Sequence, residues 1–341
     1  MTTTLSFASE EDSASKRSLI VVPIGYYQPE TSVALGVAGG FYFKSNDLKK
    51  ISSISYSAIY TFKNQVIFHV APKIYSKNKK YYYYTDFQMR FYPDVFYGIG
   101  AIDVTDGRDY VSRYVSLSFQ PQRFINKFWS IGINYMTRYE SHYLNYYNLY
   151  YESMYYWRPY FVQGIGVVTT YDSRDNLFYP EKGFFAKVSS WSSAKLFGSE
   201  YDISNINLDI RHYLPLGKKH IFAYQLYASY TVADLYPFQL IPTLGGSDKM
   251  RGFREGMFRN KDLILLQGEY RYPIYKRLKG VVFGGLGQVF DANNYSNDKL
   301  KISYGAGLRY RLNDARVHLR LDYGLTNYDT QGLYITATEA F

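Results

Sequence analysis

Apolar and polar residues alternate with a period of two along most of this chain. In the segment 316–324, apolar side chains share one face and charged or polar side chains share the other. The polar face carries Arg316, His318, Arg320 and Asp322. The same alternation recurs in further segments, at 52–62, 204–211, 220–230 and 302–312. This period is that of a β-strand, and helical periodicity is nearly absent.

Turn residues separate the alternating segments at short, regular intervals, which predicts about sixteen strands. The predicted strands are 19–26, 32–44, 50–62, 66–76, 80–92, 110–121, 125–138, 160–172, 183–192, 200–213, 219–232, 262–273, 278–290, 301–312, 315–324 and 332–341. We find no Pro-rich or Ser-rich linker between them. The chain is therefore predicted to be one all-β domain over 19–341, after a short N-terminal segment at 1–18.

The connections between the predicted strands alternate in length. Those after even-numbered strands are short, whereas the long ones follow odd-numbered strands, at 93–109, 139–159, 233–261 and 291–300. Short turns on one side and long loops on the other are typical of a transmembrane antiparallel β-barrel of the outer membrane. Such a sheet must close, because unpaired backbone groups cannot face lipid. An even strand count predicts that both termini lie on the short-turn, periplasmic side.

Composition supports a membrane barrel over a soluble fold. The 341 residues include 41 Tyr and 23 Phe, and the mean hydropathy is −0.30. Tyrosine suits the boundary between membrane and water, and tyrosines cluster near predicted strand ends at 81–87 and 143–160. A soluble sandwich or propeller is the alternative. The charged strand faces disfavour a sandwich, and the lack of a repeat of 40–50 residues disfavours a propeller.

The net charge of +10 indicates a basic surface. Contact with anionic lipid or with nucleic acid would also fit this charge, but no nucleic-acid motif is present. The expected non-protein partners are therefore outer-membrane lipid and lipopolysaccharide.

One segment stands apart from the strands. GGSDKMRGFREG (245–256) lies in the long connection 233–261 and is too flexible and too charged to be a strand. We expect this loop to fold into the barrel, where its arginines would meet charges on the inner wall.

The sequence around this loop resembles the BamA/TamA superfamily, also called the bacterial surface antigen family. In 244–274, Arg251, Gly252 and Phe253 match the Arg-Gly-aromatic core of the family's lumen loop, and Glu269 falls in the strand that follows. The resemblance implies an inward-folded loop that is held by Arg251.

Further stretches resemble the same family in the same order. The first, at 170–185, is similar to the family's Asp-x-Arg-Asp…Pro…Gly turn, through Asp172, Arg174, Asp175, Pro180 and Gly183. The segment 284–294 is similar to a family strand end, and 304–324 is similar to the terminal strands. The final residue, Phe341, resembles the terminal aromatic sorting signal that barrel-assembly machinery reads.

The resemblance implies a charge-assisted lock within the barrel. Arg251 would reach an inward carboxylate, with Asp291 and Asp322 as candidate partners and Glu269 as a third. Asp322 alternates inward, and an arginine–carboxylate pair is strong where water is excluded. Gly252 would supply a backbone shape that is closed to other residues.

The resemblance also implies a function in outer-membrane protein assembly, insertion or translocation, alone or within a larger envelope complex. About 18 residues precede the first strand, so the expectation is a member without periplasmic POTRA repeats. Strands one and sixteen would meet at a seam that Pro23 weakens by removing a backbone donor. Two alternatives stay open: an accessory barrel that binds partners without insertase activity, and a diffusion pore, which an inward-folded loop disfavours.

We predict neither catalysis nor a cofactor. No nucleophile-elbow motif is present, and the five histidines show no metal-ligand spacing; they are His69, His142, His212, His220 and His318. A catalytic role for the acidic cluster of the 170–185 turn is disfavoured against a structural one.

Overall fold

In a computed structural model, the chain forms a closed antiparallel barrel of sixteen strands, with two further two-residue strands paired within one long loop. The structure describes residues 17–43, 52–100, 107–144, 158–217, 219–293, 299–313, 316–336 and 339–341. The strands are β1 (Arg17–Gln28), β2 (Ser32–Phe43), β3 (Ser53–Thr61), β4 (Val66–Tyr75), β5 (Tyr81–Phe96), β6 (Arg108–Phe124), β7 (Trp129–Leu144), β8 (Tyr160–Asp172), β9 (Gly183–Ser193), β10 (Ile203–Leu216), β11 (His220–Val232), β12 (Thr243–Leu244), β13 (Phe258–Arg259), β14 (Asp262–Tyr275), β15 (Leu278–Phe290), β16 (Lys301–Arg311), β17 (His318–Thr326) and β18 (Gln331–Thr336).

Each barrel strand pairs with its neighbour in the sequence, except that β11 pairs with β14 because β12 and β13 lie in the intervening loop. The barrel closes where β18 meets β1. This confirms the predicted sixteen-stranded fold. No helix among the described ranges is long and apolar enough to cross a membrane.

The two faces of each strand explain why the sheet closes into a barrel. In β17, His318, Arg320 and Asp322 are buried inside the barrel, whereas Leu319 and Leu321 are exposed on the outside. This arrangement leaves an apolar outer wall for lipid and a charged inner wall that must find partners in the lumen.

The seam is the weakest strand junction of the barrel. Within the described residues, a single register pair, Tyr27 with Ile335, joins β1 to β18. By contrast, β1 pairs with β2 along its whole length, and Pro23 lies there opposite Val37. Most of the outer edge of β1 therefore has no described partner from β18.

The prediction that the last strand continues to the final residue is wrong. β18 ends at Thr336, and Phe341 is buried against Tyr213 and Ala223 of the inner wall. The apolar–polar alternation continues only to Thr338, because Glu339 falls on the apolar face, and Glu339 bonds to the inward-facing Arg309. The N-terminal segment 1–16 and the tyrosine-rich residues 145–157 lie outside the described residues.

Candidate functional site in the barrel lumen

The long loop 233–261 packs against the inner wall, and Arg251 is its main point of attachment. The Arg251 side chain is 1% exposed. Its Nη1 atom lies 2.5 Å from Oδ2 of Asp322 on β17, and its Nη2 atom lies 2.6 Å from Oε1 of Glu269 on β14. The guanidinium also lies 3.5 Å from the ring centroid of Phe283, so one face is covered by an aromatic ring.

Arg251 belongs to a larger buried network, which we call the lumen cluster. Its members are Arg251, Glu269, Arg271, Arg309, Arg320, Asp322 and Glu339. Four arginines thus face three carboxylates, so the cluster has a net charge of +1. Because isolated buried charges are very costly, removing a carboxylate would leave arginines uncompensated, whereas removing an arginine would leave the charges balanced but would break its hydrogen bonds.

The carboxylates are each shared between arginines from different parts of the chain. Asp322 accepts hydrogen bonds from Arg309, from Arg320 Nε at 2.7 Å and from Arg251. Arg271 Nε donates to Glu269 at 2.8 Å. The cluster therefore ties β14, β16 and β17 to the loop.

Gly252 lets the loop backbone lie directly against β17. Its φ is +107°, and an added Cβ would lie 2.8 Å from a side-chain carbon of Thr326. The facing residue on β17 is also a glycine, Gly324, where a Cβ would lie 2.7 Å from the carbonyl carbon of Arg251. Both positions therefore require glycine, because a side chain at either one would push the loop away from the wall.

Side-chain hydroxyls bind the loop backbone at this contact. Gly252 N–H donates to Tyr334 Oη at 3.0 Å, and the same hydroxyl donates to the Phe253 carbonyl at 3.1 Å. Thr330 Oγ1 donates to the Gly252 carbonyl at 3.0 Å. Since Tyr334 lies on β18, the loop is attached to the last strand of the barrel.

Phe253 anchors the loop by packing. It is fully buried and makes edge-to-face contacts with Phe258 and Tyr328, at centroid distances of 5.4 and 5.9 Å. Aromatic pairs of this geometry add to the free energy gained by burial.

The loop also contacts the opposite wall. Arg254 Nη2 lies 2.7 Å from Oδ1 of Asp94 on β5. Glu255 N–H donates to Glu30 Oε1 at 2.6 Å, and Glu30 lies in the connection between β1 and β2. Burial raises the pKa of Glu30 to about 7. The loop thus attaches to β18 on one side of the seam and to the β1–β2 connection on the other.

The connection 173–182, between β8 and β9, is held by its own side chains. Arg174 donates to both carboxylate oxygens of Asp172, at 2.9 and 2.7 Å. Asp175 Oδ1 accepts the backbone N–H groups of Glu181 and Lys182, at 3.0 and 3.2 Å. Gly183 has a φ of +114°, and a Cβ there would lie 2.6 Å from a backbone oxygen. A structural role for these residues accounts for their geometry.

This connection also reaches the far wall. Asp175 Oδ2 lies 2.6 Å from Nη1 of Arg316. Burial opposes ionisation of Asp175, but the hydrogen bonds from Arg316 and the two backbone amides outweigh it and lower the pKa of this carboxyl. The Pro180 carbonyl accepts a bond from Arg271 at 3.5 Å, and Tyr179 stacks on His318 with a centroid distance of 4.0 Å.

The sequence-predicted residues divide into two groups. The structure brings Arg251 together with Asp322 and Glu269, whereas Asp291 lies away from them, with Oδ2 at 3.0 Å from Lys261 Nζ. Sequence reasoning missed Arg271, Arg309, Arg320 and Glu339 as cluster members. The first three could have been found from their inward position in the strand alternation, but Glu339 could not.

Comparison with known proteins identifies the family. A family model described as the Omp85 superfamily domain matches residues 36–341. The chain belongs to the Omp85 superfamily. This confirms the resemblance that the sequence motifs indicate, and it makes the chain a relative of outer-membrane barrels. Comparison with curated proteins finds no match.

Solved structures of this superfamily share the fold. The BamA structure from Haemophilus ducreyi lacking POTRA domains 1–3 matches with a TM-score of 0.66 and 14% identity, over 95% of this chain and 70% of that one. CdiB from Acinetobacter baumannii gives 0.61 and 13%, over 94% and 59%. CdiB from Escherichia coli gives 0.65 and 10%, over 94% and 61%. The Omp85 chain described here thus spans about three fifths of the two CdiB structures.

The contacts of the site attach the loop 233–261 to the inner wall of the barrel. Among the described residues, no group of three His, Cys, Asp or Glu side chains is placed to hold a metal ion. The geometry provides a loop that is bonded to the inner wall at several points, beside a seam for which the described residues give one register pair.

Proposed function

We propose that this Omp85 barrel lies in the outer membrane and helps to insert, assemble or translocate other proteins there. In this proposal the short connections and both termini face the periplasm. The outer wall contacts lipid and lipopolysaccharide, and protein partners of an envelope assembly or secretion complex bind at the ends of the barrel.

The observation that carries the proposal is that, within the described part of the chain, one register pair joins β1 to β18. An unpaired strand edge presents a row of backbone donors and acceptors that another strand can pair with. In this proposal few backbone bonds close the seam, so that it opens readily and a strand of a client protein then pairs with the edge of β1.

The lumen loop gives the seam a defined resting state. It binds Tyr334 of β18 on one side and Glu30 beside β1 on the other. The Arg251 lock keeps the loop seated, so the seam is closed at rest and must part at Tyr27 and Ile335 before a client strand reaches the edge of β1. A diffusion pore is disfavoured because the loop, the lumen cluster and the chain end fill part of the lumen.

A disulfide across the seam tests the proposal. The chain has no cysteine, so Tyr27→Cys with Ile335→Cys places the only two thiols on the register pair. The matched control is Tyr323→Cys with Leu333→Cys, a register pair between β17 and β18. Each barrel is reconstituted in liposomes, and insertion of an unfolded outer-membrane barrel is followed by protease protection.

We expect the oxidised seam variant to lose insertion and to recover it on reduction, while the control pair stays active in both states. An oxidised seam variant that remains active would refute the seam mechanism. If the wild-type barrel never promotes insertion or translocation, the accessory-barrel alternative replaces this proposal.

A further inference from the structure

A chamber lies in the lumen at the end where the short connections are found. It has a volume of about 700 Å³ and is formed mainly by β4 to β9. Residues central to its chemistry are Lys73, Tyr82, Gln120, Gln122, Phe185 and Lys187. We call it the short-end chamber. Its volume falls in the range of ligand-binding clefts, roughly 300–1,000 Å³.

The charged side chains that line the chamber are predominantly positive. Four are cationic and two are anionic, which leaves an excess of two positive charges; they are Lys73, Lys127, Arg174 and Lys187 against Asp172 and Asp175. Both carboxylates are already engaged by arginines, Asp172 by Arg174 and Asp175 by Arg316.

The two lysines of the strands are available to a ligand. Lys187 Nζ donates to the amide oxygen of Gln120 at 3.1 Å, and Lys73 Nζ lies 5.9 Å from the ring centroid of Tyr84. Across the described ranges of the chain, no carboxylate forms an ion pair with either ammonium group. A cation in a partly enclosed cavity attracts an anion more strongly than one in open water.

The chamber also offers aromatic surface. The rings of Tyr75, Tyr82 and Phe124 contact one another, with centroid distances of 4.9, 6.2 and 6.4 Å, and we call this cluster the aromatic shelf. At the mouth, Leu177 and Phe178 are 60% and 52% exposed. Apolar side chains that are exposed at the rim of a cavity indicate an apolar part of the ligand.

We infer that the short-end chamber binds an acidic segment of extended polypeptide that also carries aromatic residues. Lys73 and Lys187 would pair with the carboxylates, and the aromatic shelf would hold the rings. The inference rests on the proposed function, since it makes the chamber the entry site for a client chain that arrives from the periplasmic side.

Peptide binding to the purified barrel in detergent tests the inference without any insertion assay. The probe is a fluorescent ten-residue peptide with alternating Glu and Phe, compared with a peptide in which Lys replaces each Glu. The test variant is Lys73→Gln with Lys187→Gln. The control, Lys219→Gln with Lys276→Gln, removes two exposed lysines from short connections at the same barrel end that do not line the chamber.

We expect the acidic peptide to bind the wild type more tightly than the basic peptide. The Lys73→Gln, Lys187→Gln variant should lose about tenfold in affinity, equivalent to about 1.4 kcal/mol, while the control variant keeps its affinity. Equal binding of both peptides, or equal loss in both variants, would overturn the inference. The labelled acidic peptide is also challenged with an anionic oligosaccharide and with unlabelled acidic peptide. If only the oligosaccharide displaces the labelled peptide, the chamber binds glycan and the inference is overturned. Peptide binding without insertion activity would remove the proposed function and leave the chamber's ligand class standing.

Discussion

The Nη1 atom of Arg251 lies 2.5 Å from Oδ2 of Asp322, although the two residues are far apart in the chain. Arg309 and Arg320 of the wall also bond to Asp322, so the carboxylate is held by contacts that do not involve the loop. Arg251 thus enters a receptor of defined shape. The position of the loop therefore depends on the correct pairing of β14, β16 and β17.

Replacing Arg251 by lysine keeps the charge but cannot bridge Glu269 and Asp322 at once. We expect Arg251→Lys to weaken the barrel and Arg251→Ala to weaken it further, by about 1–3 kcal/mol, because two buried carboxylates each lose one of their arginines. The temperature at which the folded band disappears in heat-modifiability gels should fall for both variants. Arg277→Ala, at an exposed position in the β14–β15 connection, is the control. Unchanged midpoints for Arg251→Ala would show that the lock adds nothing to stability.

Gly252 should not tolerate a side chain. We expect Gly252→Ala to unseat the loop, because its Cβ would collide with Thr326 and its φ of +107° is unfavourable for alanine. Trypsin should then cleave after Arg251, which is buried in the wild type. Gly217→Ala is the control, since Gly217 also has a positive φ but lies in the β10–β11 connection, with open space around its Cβ position. Cleavage at Arg251 to the same extent in both variants would show that the effect of Gly252→Ala is not specific to the contact with β17.

The fold could be predicted from the sequence because the apolar–polar alternation of each strand indicates which of its faces is buried in the barrel. Arg320 and Asp322 alternate with Leu319 and Leu321, and that local pattern specifies which face meets lipid. The partners within the lumen were predictable only in part. Asp322 was found because its strand alternates cleanly, whereas Asp291 follows the end of β15 and pairs with Lys261.

Contacts that depend on the closed barrel leave no local trace in the sequence. Glu339 reaches Arg309 only because the chain end turns into the lumen, and the residues before it continue a strand-like pattern. The contact of Gly252 with Gly324 likewise pairs two glycines that nothing in the sequence connects. Tertiary packing decides these features.

Phe341 should contribute to stability in addition to any role in sorting. It is 4% exposed and packs on Tyr213 and Ala223, so Phe341→Ala should lower stability by about 3–5 kcal/mol. Refolding of urea-denatured protein into detergent micelles involves no assembly machinery, so this measurement isolates packing from sorting. Leu333→Ala, at an outward-facing position of β18, is the control for loss of apolar volume. Equal unfolding midpoints for the wild type and Phe341→Ala would contradict the lumen-packed position of this ring.

Glu30 should make the attachment of the loop depend on pH. Its pKa is raised to about 7 by burial, above the value of 4.5 for an unperturbed glutamate, so the folded barrel binds a proton that the unfolded chain releases. Stability should therefore fall as pH rises from about 4.5 to about 7 and then level off, by an amount on the order of 3 kcal/mol. Glu30→Gln keeps an oxygen for the Glu255 amide but cannot ionise, so this contribution should vanish and the variant should exceed the wild type above pH 7. Heat-modifiability midpoints of both proteins between pH 5 and pH 8.5 measure the difference. Parallel profiles would show that Glu30 keeps one charge state over this range.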